Sequence, residues 1–284
     1  MKWLIYFSAA IYILWPLSAM SSVWMSDSAT SGAFLFTTLI FVWFIAVARW
    51  DVTSRYLPFV FSAAYVALTF YKFGWIPAAL TLLAIIVVYW FPRRAPRGEQ
   101  FVALRSPFES GSFFVAQGGN SKLLNHHRRS RSQRYALDIS KLNFLGVRAR
   151  GIYPKDLRSY CIFSCPVVAP CDGTITAVVD GHPDLPLGEM DRANPAGNHV
   201  VIRCADSPGV YVGLAHLMQG SIVVQSGQTM KTGERIACVG NSGNTTEPHL
   251  HIHAKRGGNA ESMLDGEGVP MRIDGRWFTR GSTL

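Results

Sequence analysis

Three histidines near the carboxyl end of the chain alternate with apolar residues. They are His249, His251 and His253, separated by Leu250 and Ile252. Because side chains of an extended strand alternate between its two faces, this spacing places the three imidazole rings on one face and the apolar pair on the other. Neutral imidazole is a common zinc ligand, and rings on a rigid strand can converge on one ion. The pattern predicts a metal site on a β-strand, and a strand face that is merely rich in histidine is the alternative.

The part of the chain that carries these histidines has short strand patterns separated by turn signals. Nine stretches carry β-branched or aromatic residues, with Gly, Pro, Asp or Asn between them. They are Phe113–Ala116, Tyr135–Ile139, Val167–Ala169, Gly173–Val179, His199–Arg203, Val210–Leu214, Ser221–Val224, Arg235–Val239 and Leu250–Ala254. Since no helical period of comparable strength is present, the sequence predicts a mainly antiparallel β domain over residues 113–284.

The first ninety residues differ, because they hold four long apolar runs with almost no internal charge. The runs are Trp3–Met20, Ala33–Ala48, Leu57–Phe70 and Trp75–Phe91. A helix needs about 20 apolar residues, and at least roughly 17, to cross the hydrocarbon of a bilayer, so the middle two runs are short. We expect residues 1–91 to form three or four transmembrane α-helices that anchor the chain in a lipid bilayer. Buried helices of a soluble protein are the alternative.

Residues 92–112 are rich in Pro, Arg and Ser, which predicts a basic linker rather than a packed element. Between Pro92 and Tyr160 the chain carries 14 Lys or Arg against four Asp or Glu. Such a patch favours polyanions or an anionic membrane surface. No recognition helix, aromatic RNA-binding motif or zinc-finger signature accompanies the charge, so we do not expect a nucleic-acid partner.

Five cysteines lie in the predicted β domain, and none has the C-x-x-C spacing of a zinc ribbon. The odd number leaves at least one of them unpaired. A disulfide, for instance between Cys161 and Cys165, is allowed outside the cytoplasm. Cys204 and Cys238 lie in strand patterns, and we expect both to be small buried hydrophobes.

Several segments together resemble one family of enzymes. The stretches Y-V-G-L-A-H-L (Tyr211–Leu217), G-Q-T-M-K-T-G-E-R-I-A-C-V-G-N-S-G (Gly227–Gly243) and E-P-H-L-H-I-H (Glu247–His253) look like the core of the lysostaphin-type (LytM-type) zinc metallopeptidases. The resemblance extends upstream to Gly118–Ile139, Cys171–Ile175 and Gly197–Ile202, and it covers residues 113–260. It says nothing about the apolar amino-terminal region.

The resemblance implies one Zn²⁺ held by two histidines and one aspartate, with a water molecule as the fourth ligand. By position these are His127, Asp138 and His251, although His126 is adjacent to His127 and stays open as the alternative. Two histidines, one carboxylate and an open position are typical of a catalytic rather than a structural zinc site. One departure from the family is that His127 and Asp138 are separated by a longer, basic loop.

The same resemblance implies a catalytic pair, His216 in A-H-L and His249 in H-L-H. Neutral histidines beside a metal can accept the proton of the attacking water and stabilise the developing oxyanion. We expect His253 to be a residue beside the site rather than a ligand, and Asn125 to support the first ligand by hydrogen bonding.

The implied activity is zinc metalloendopeptidase hydrolysis of peptide bonds in bacterial peptidoglycan. Two other functions stay open: a catalytically silent protein of the same fold that binds the wall or activates a hydrolase, and a cytosolic-facing metallohydrolase. Arg93, Arg94 and Arg97 follow the fourth apolar run, which by the positive-inside rule favours a cytoplasmic domain if the number of spans is even. Because peptidoglycan lies outside the inner membrane, we expect a multi-pass inner-membrane protein with its catalytic domain on the outer, periplasmic side.

Overall fold

The computed structural model describes residues 38–42, 55–90 and 93–284. Two compact units are distinguished, one containing the helices described next and the other formed by Arg93–Asn143 and Arg148–Leu284. The predicted run Trp3–Met20 lies outside the described residues, and the run Ala33–Ala48 overlaps them only at residues 38–42, which are helical.

The helical unit contains helix α1 (Leu57–Phe73) and helix α2 (Trp75–Trp90). Pro58 lies in the first turn of α1, where its missing N–H costs no hydrogen bond. Gly74 ends that helix with a φ of 86°, and its N–H donates to the Phe70 carbonyl. Neither of these helices, nor the short helical piece before them, has the length and apolar composition required to span a bilayer. The described residues therefore do not confirm the predicted transmembrane spans.

The second unit is mainly antiparallel β-structure, as the sequence predicts. Its strands are β1 (Val102–Leu104), β2 (Phe113–Gln117), β3 (Leu137–Lys141), β4 (Pro166–Val168), β5 (Gly173–Val179), β6 (Asn198–Cys204), β7 (Val210–Leu217), β8 (Thr229–Met230), β9 (Arg235–Cys238), β10 (Leu250–Arg256), β11 (Glu267–Val269) and β12 (Met271–Ile273). The main sheet has the order β2-β3-β10-β7-β6-β5-β8, with β11 on β10, and all its pairs are antiparallel.

The two faces of the main sheet have different partners. Leu250 and Ile252 of β10 are fully buried in the main hydrophobic core, as the alternation in sequence predicts. On β6 and β7, Val201 and Ala215 instead pack with Met263, which lies in the loop after β10. The core therefore fixes the strands from one side and leaves the histidine side of β10 for polar contacts.

Two sequence expectations were wrong. Ser221–Val224 is not a strand, because the Ser221 side chain bonds locally to the Met218 carbonyl and only Val223 donates to the neighbouring β9 backbone. Within residues 92–112, expected to be a linker without packed elements, β1 pairs in parallel with β12 and Phe108 is buried.

All five cysteines are free thiols, so the structure contains no Cys161–Cys165 disulfide. Cys204 and Cys238 are buried, as predicted.

Candidate metal centre

Strand pairing brings Asp138 and His251 together. β3 and β10 are antiparallel neighbours, and Asp138 is the direct cross-strand partner of His251. Directly opposite residues point to the same face of a sheet, so both side chains project from the histidine face. The Asp138 Oδ1 atom lies 2.9 Å from His251 Nδ1, and both residues are buried. The sheet register alone therefore accounts for two of the three predicted ligands.

His127 joins them from a separate element, a short 3-10 helix over His126–Arg129. Its Nε2 lies 3.0 and 2.9 Å from the two carboxylate oxygens of Asp138. Asn125 caps this helix: its Oδ1 accepts from the His127 N–H at 3.1 Å, and its Nδ2 donates to the carbonyls of Gly119 and Ala136. Although a long basic loop separates them in the sequence, His127 lies next to Asp138 in the structure. Buried Asn125 holds His127 in this position.

His126 also faces the carboxylate. His126, His127 and Asp138 each offer a ligand atom, and these atoms lie within 4.8 Å of one another. The rings of His126 and His127 are stacked at a tilt with centroids 3.8 Å apart. Of these two histidines, only His127 contacts Asp138 directly.

The Asp138 carboxylate is ionised. Its complete burial favours the neutral acid, but the adjacent His127 and His249 and the hydrogen bonds of His127 hold its pKa well below the usual range. Burial opposes the charged form of His127 as well, yet the Asp138 carboxylate and hydrogen bonds outweigh it and raise the pKa of His127.

The tautomer of His251 follows from two successive hydrogen bonds, the first of which ends at the Met263 carbonyl oxygen. A carbonyl can only accept, so His253 Nε2, 2.9 Å from the Met263 oxygen, carries the proton. Burial lowers the pKa of His253 to about 4, so this ring is neutral and its Nδ1 is an acceptor. His251 Nε2, 3.1 Å away, therefore donates to it, and His251 Nδ1 is left with a lone pair.

This tautomer makes the site fit a cation. Burial lowers the pKa of His251 well below its usual range, so the ring is neutral and its Nδ1 lone pair faces an ionised Asp138 oxygen at 2.9 Å. Two acceptors at that distance repel unless a positive charge lies between or beside them. Two imidazoles and a carboxylate are a donor set that suits zinc. The residues present therefore fit a divalent metal with an open position.

His216 reaches the site through an unusual backbone conformation. Its neighbour Ala215 is the cross-strand partner of His251 and points to the site, so a regular strand would direct His216 into the core. Instead His216 has a φ of 60°, which is rare for a residue with a side chain and is typical of functional sites. The His216 Nδ1 donates to the Ser242 carbonyl at 2.9 Å, which leaves Nε2 as an acceptor.

His249 is held in the same tautomer. Its Nδ1 donates to the Glu247 carbonyl at 2.9 Å and lies 3.1 Å from the Thr245 hydroxyl. Its Nε2 lies 3.6 Å from Asp138 Oδ1, so the acceptor nitrogen faces the ligand cluster. The rings of His216 and His249 are 4.7 Å apart between centroids. Burial lowers the pKa of His216 to about 3, so this residue is neutral at physiological pH.

Every predicted site residue lies in one cluster on this face of the sheet: His126, His127, Asp138, His216, His249, His251, His253 and Asn125. Sequence reasoning missed the residues that orient them, namely Ser242, Thr245, Glu247 and Met263. Three of these act through backbone carbonyls, which every residue has and which leave no signal in a sequence. Thr245 and Glu247 lie just before the histidine motif, and that proximity is the only signal they carry.

The comparison with known families matches the part of the chain that carries His216, His249 and His251. Residues 162–263 match the family model described as Peptidase family M23. An uncharacterised metalloprotease of Haemophilus influenzae is 38% identical over 100 residues, which is 35% of this chain and 18% of that protein. The peptidoglycan DD-endopeptidase ShyA of Vibrio cholerae is 39% identical over 89 residues, which is 30% of this chain and 20% of that protein. The chain thus matches about a fifth of the length of each curated relative.

Among solved structures, the chain is similar to a catalytic-domain variant of the prophage-encoded M23 protein EnpA from Enterococcus faecalis. The identity is 19%, the TM-score is 0.31, and the match covers 47% of this chain and 72% of that one. The family assignment therefore depends on the sequence match rather than on this superposition.

Proposed function

We propose that this protein, whose residues 162–263 match peptidase family M23, is a zinc metalloendopeptidase that hydrolyses peptide bonds of bacterial peptidoglycan. The observation that carries the proposal is the arrangement of His216 and His249 beside Asp138. Both rings are fixed as acceptors by carbonyls behind them, and both adjoin a donor set suited to one zinc ion. The substrate class is supported by the relative named a peptidoglycan DD-endopeptidase.

In the proposed reaction, His127, Asp138 and His251 would hold the metal. Zinc in such a site lowers the pKa of a water molecule and polarises the scissile carbonyl. The lone pairs of His216 and His249 are placed to accept the proton of the attacking water and to stabilise the oxyanion by hydrogen bonding once a ring is protonated. Donation from each Nδ1 to a carbonyl keeps the two rings in that orientation through the reaction.

We also propose attachment to the inner membrane with the catalytic domain on the periplasmic side. Supporting this, α1 and α2 expose large apolar side chains, including Phe59, Phe70, Trp75 and Leu80. Because peptidoglycan lies outside the inner membrane, the proposed side for the catalytic domain is the periplasmic one. A periplasm-dependent reporter fused to the carboxyl terminus would be active if this orientation is right, and a reporter active only in the cytoplasm would contradict it.

The test of the enzyme is digestion of purified sacculi by the 284-residue chain with zinc, followed by mass analysis of the released muropeptides. We expect new peptide-cleavage products from the unmutated protein and none from His251→Ala, which loses a ligand. His182→Ala changes a histidine outside the cluster and should leave the products unchanged. Absence of products from the unmutated, zinc-loaded protein would contradict the proposal and favour a wall-binding function.

A further inference from the structure

A buried ion pair lies behind the catalytic histidines. The Arg148 side chain is 1% exposed and that of Glu247 is 7% exposed. The Arg148 Nε and Nη2 atoms lie 2.8 and 2.6 Å from Glu247 Oε2. The rings of Tyr153 and Tyr160 flank the guanidinium, which lies 4.7 and 5.6 Å from their centroids. Arg148 precedes the residues that match the M23 family model, so the match does not account for this contact.

Glu247 connects this pair directly to His249. Its carbonyl oxygen accepts from His249 Nδ1 at 2.9 Å and from the Thr245 hydroxyl at 2.8 Å. Pro248 lies between the two residues, and the residue before a proline is confined to extended conformations. The position of the Glu247 side chain is therefore transmitted to its carbonyl and to the imidazole two residues later.

The loop needs such an anchor because no strand ladder supports it. Residues 241–249 form no regular secondary structure between the bridge at Val239 and the start of β10 at Leu250. At one end of the loop, the Asn241 amide donates to the Leu185 carbonyl at 2.7 Å, and its backbone N–H donates to Asp184. At the other end, the contact with Arg148 holds Glu247.

We propose that Arg148, through its ion pair with Glu247, is a positioning residue that fixes the orientation and tautomer of catalytic His249. A buried ion pair adds little net stability, because desolvation of the two charges offsets their attraction. Its contribution here is to geometry: it aims the Glu247 carbonyl at His249 Nδ1, so that Nε2 faces the metal centre. The proposal rests on the proposed peptidase function for its kinetic part only.

The kinetic test compares the 284-residue chain with Arg148→Met, Arg148→Lys and Glu247→Gln, each loaded with zinc. We expect Arg148→Met and Glu247→Gln to lower kcat roughly 10- to 100-fold, a share of the ~100- to 10,000-fold that general acid–base catalysis contributes. KM and zinc content should stay unchanged, since no metal ligand is altered. Arg148→Lys keeps the charge and should recover part of kcat. Arg158→Met, at an exposed arginine of the same segment, is the matched control.

A double variant separates positioning from stability. Arg148→Met alone removes the countercharge of a buried carboxylate and should lower Tm, whereas adding Glu247→Gln removes that charge and should restore Tm. If kcat stays low in the double variant, the pair positions His249. If kcat returns together with Tm, the role is structural only and the proposal is wrong.

Nitrogen-15 NMR of the histidine side chains reads the tautomer without any substrate. We expect His249 to be protonated at Nδ1 in the unmutated protein and to become a mixture of tautomers in Arg148→Met. An unchanged His249 tautomer in that variant would overturn the proposal. Because this measurement does not depend on cleavage, it separates failure of the positioning role from failure of the peptidase function itself.

Discussion

The two halves of the site are built by different means. Asp138 and His251 face each other across paired strands, so their separation is set by the sheet register. His216 and His249 lie where regular pairing stops, one with a left-handed backbone and one just before β10, and both are oriented by carbonyls of the loop 241–249. Asp138 and His251 therefore depend on the ladder and His127 on its hydrogen bond to Asn125, whereas the catalytic half depends on a few hydrogen bonds to loop carbonyls.

The largest effect should come from the ligand half. Asp138→Asn keeps the shape of the side chain but removes the charge on which His127 and His251 converge. We expect loss of bound zinc and a fall in kcat/KM of roughly 10³-fold or more, because a bound metal stabilises the transition state by several kcal/mol. Zinc content and muropeptide release measure the two effects. An active Asp138→Asn protein with full zinc content would show that Asp138 is not a ligand.

A substitution in the catalytic half should have a different effect on zinc content and activity. His216→Ala removes an acceptor that faces the cluster but no ligand, so we expect zinc content to be retained while kcat falls about 100- to 10,000-fold. The contrast with Asp138→Asn is the sharpest test of the division between the two halves. Loss of zinc from His216→Ala would contradict it, because the two halves would then form one unit.

Sequence periodicity alone predicted the strand and the face that carries His251, for a physical reason. The alternation of His249, His251 and His253 with apolar residues fixes which face they occupy, and the core confirms that face at Leu250 and Ile252. The family resemblance supplied Asp138 and His216. It could not supply the left-handed φ of His216 or the Arg148–Glu247 contact, because a contact between residues 99 positions apart depends on the completed fold.

An intermediate effect is expected from loss of the hydrogen bond between His253 and His251. His253 fixes the tautomer of His251, with its own proton donated to the Met263 carbonyl. His253→Gln disturbs that arrangement, so we expect zinc affinity to weaken about 10- to 100-fold, the usual cost of losing a partner of a metal ligand. Competition with a zinc-binding dye measures it, with His182→Gln as control. Unchanged affinity would show that the strand register alone orients His251.

The smallest effect concerns stability of the metal-free chain against pH. Burial depresses the pKa of His216 from 6.5 to about 3, so the folded protein keeps this ring neutral while the unfolded chain binds a proton below pH 6.5. A depressed pKa contributes stability that is present above pH 6.5 and is lost as the pH falls towards 3, at up to about 1.4 kcal/mol per pH unit.

We therefore expect His216→Gln to flatten the fall in unfolding free energy between pH 6.5 and 4.5, measured by urea denaturation after chelation. The variant His182→Gln, at a histidine outside the cluster, is the control for the substitution itself. Parallel curves for His216→Gln and the unmutated protein would show that His216 is not kept neutral by burial, and the catalytic half would then lack the acceptor that distinguishes it from the ligand half.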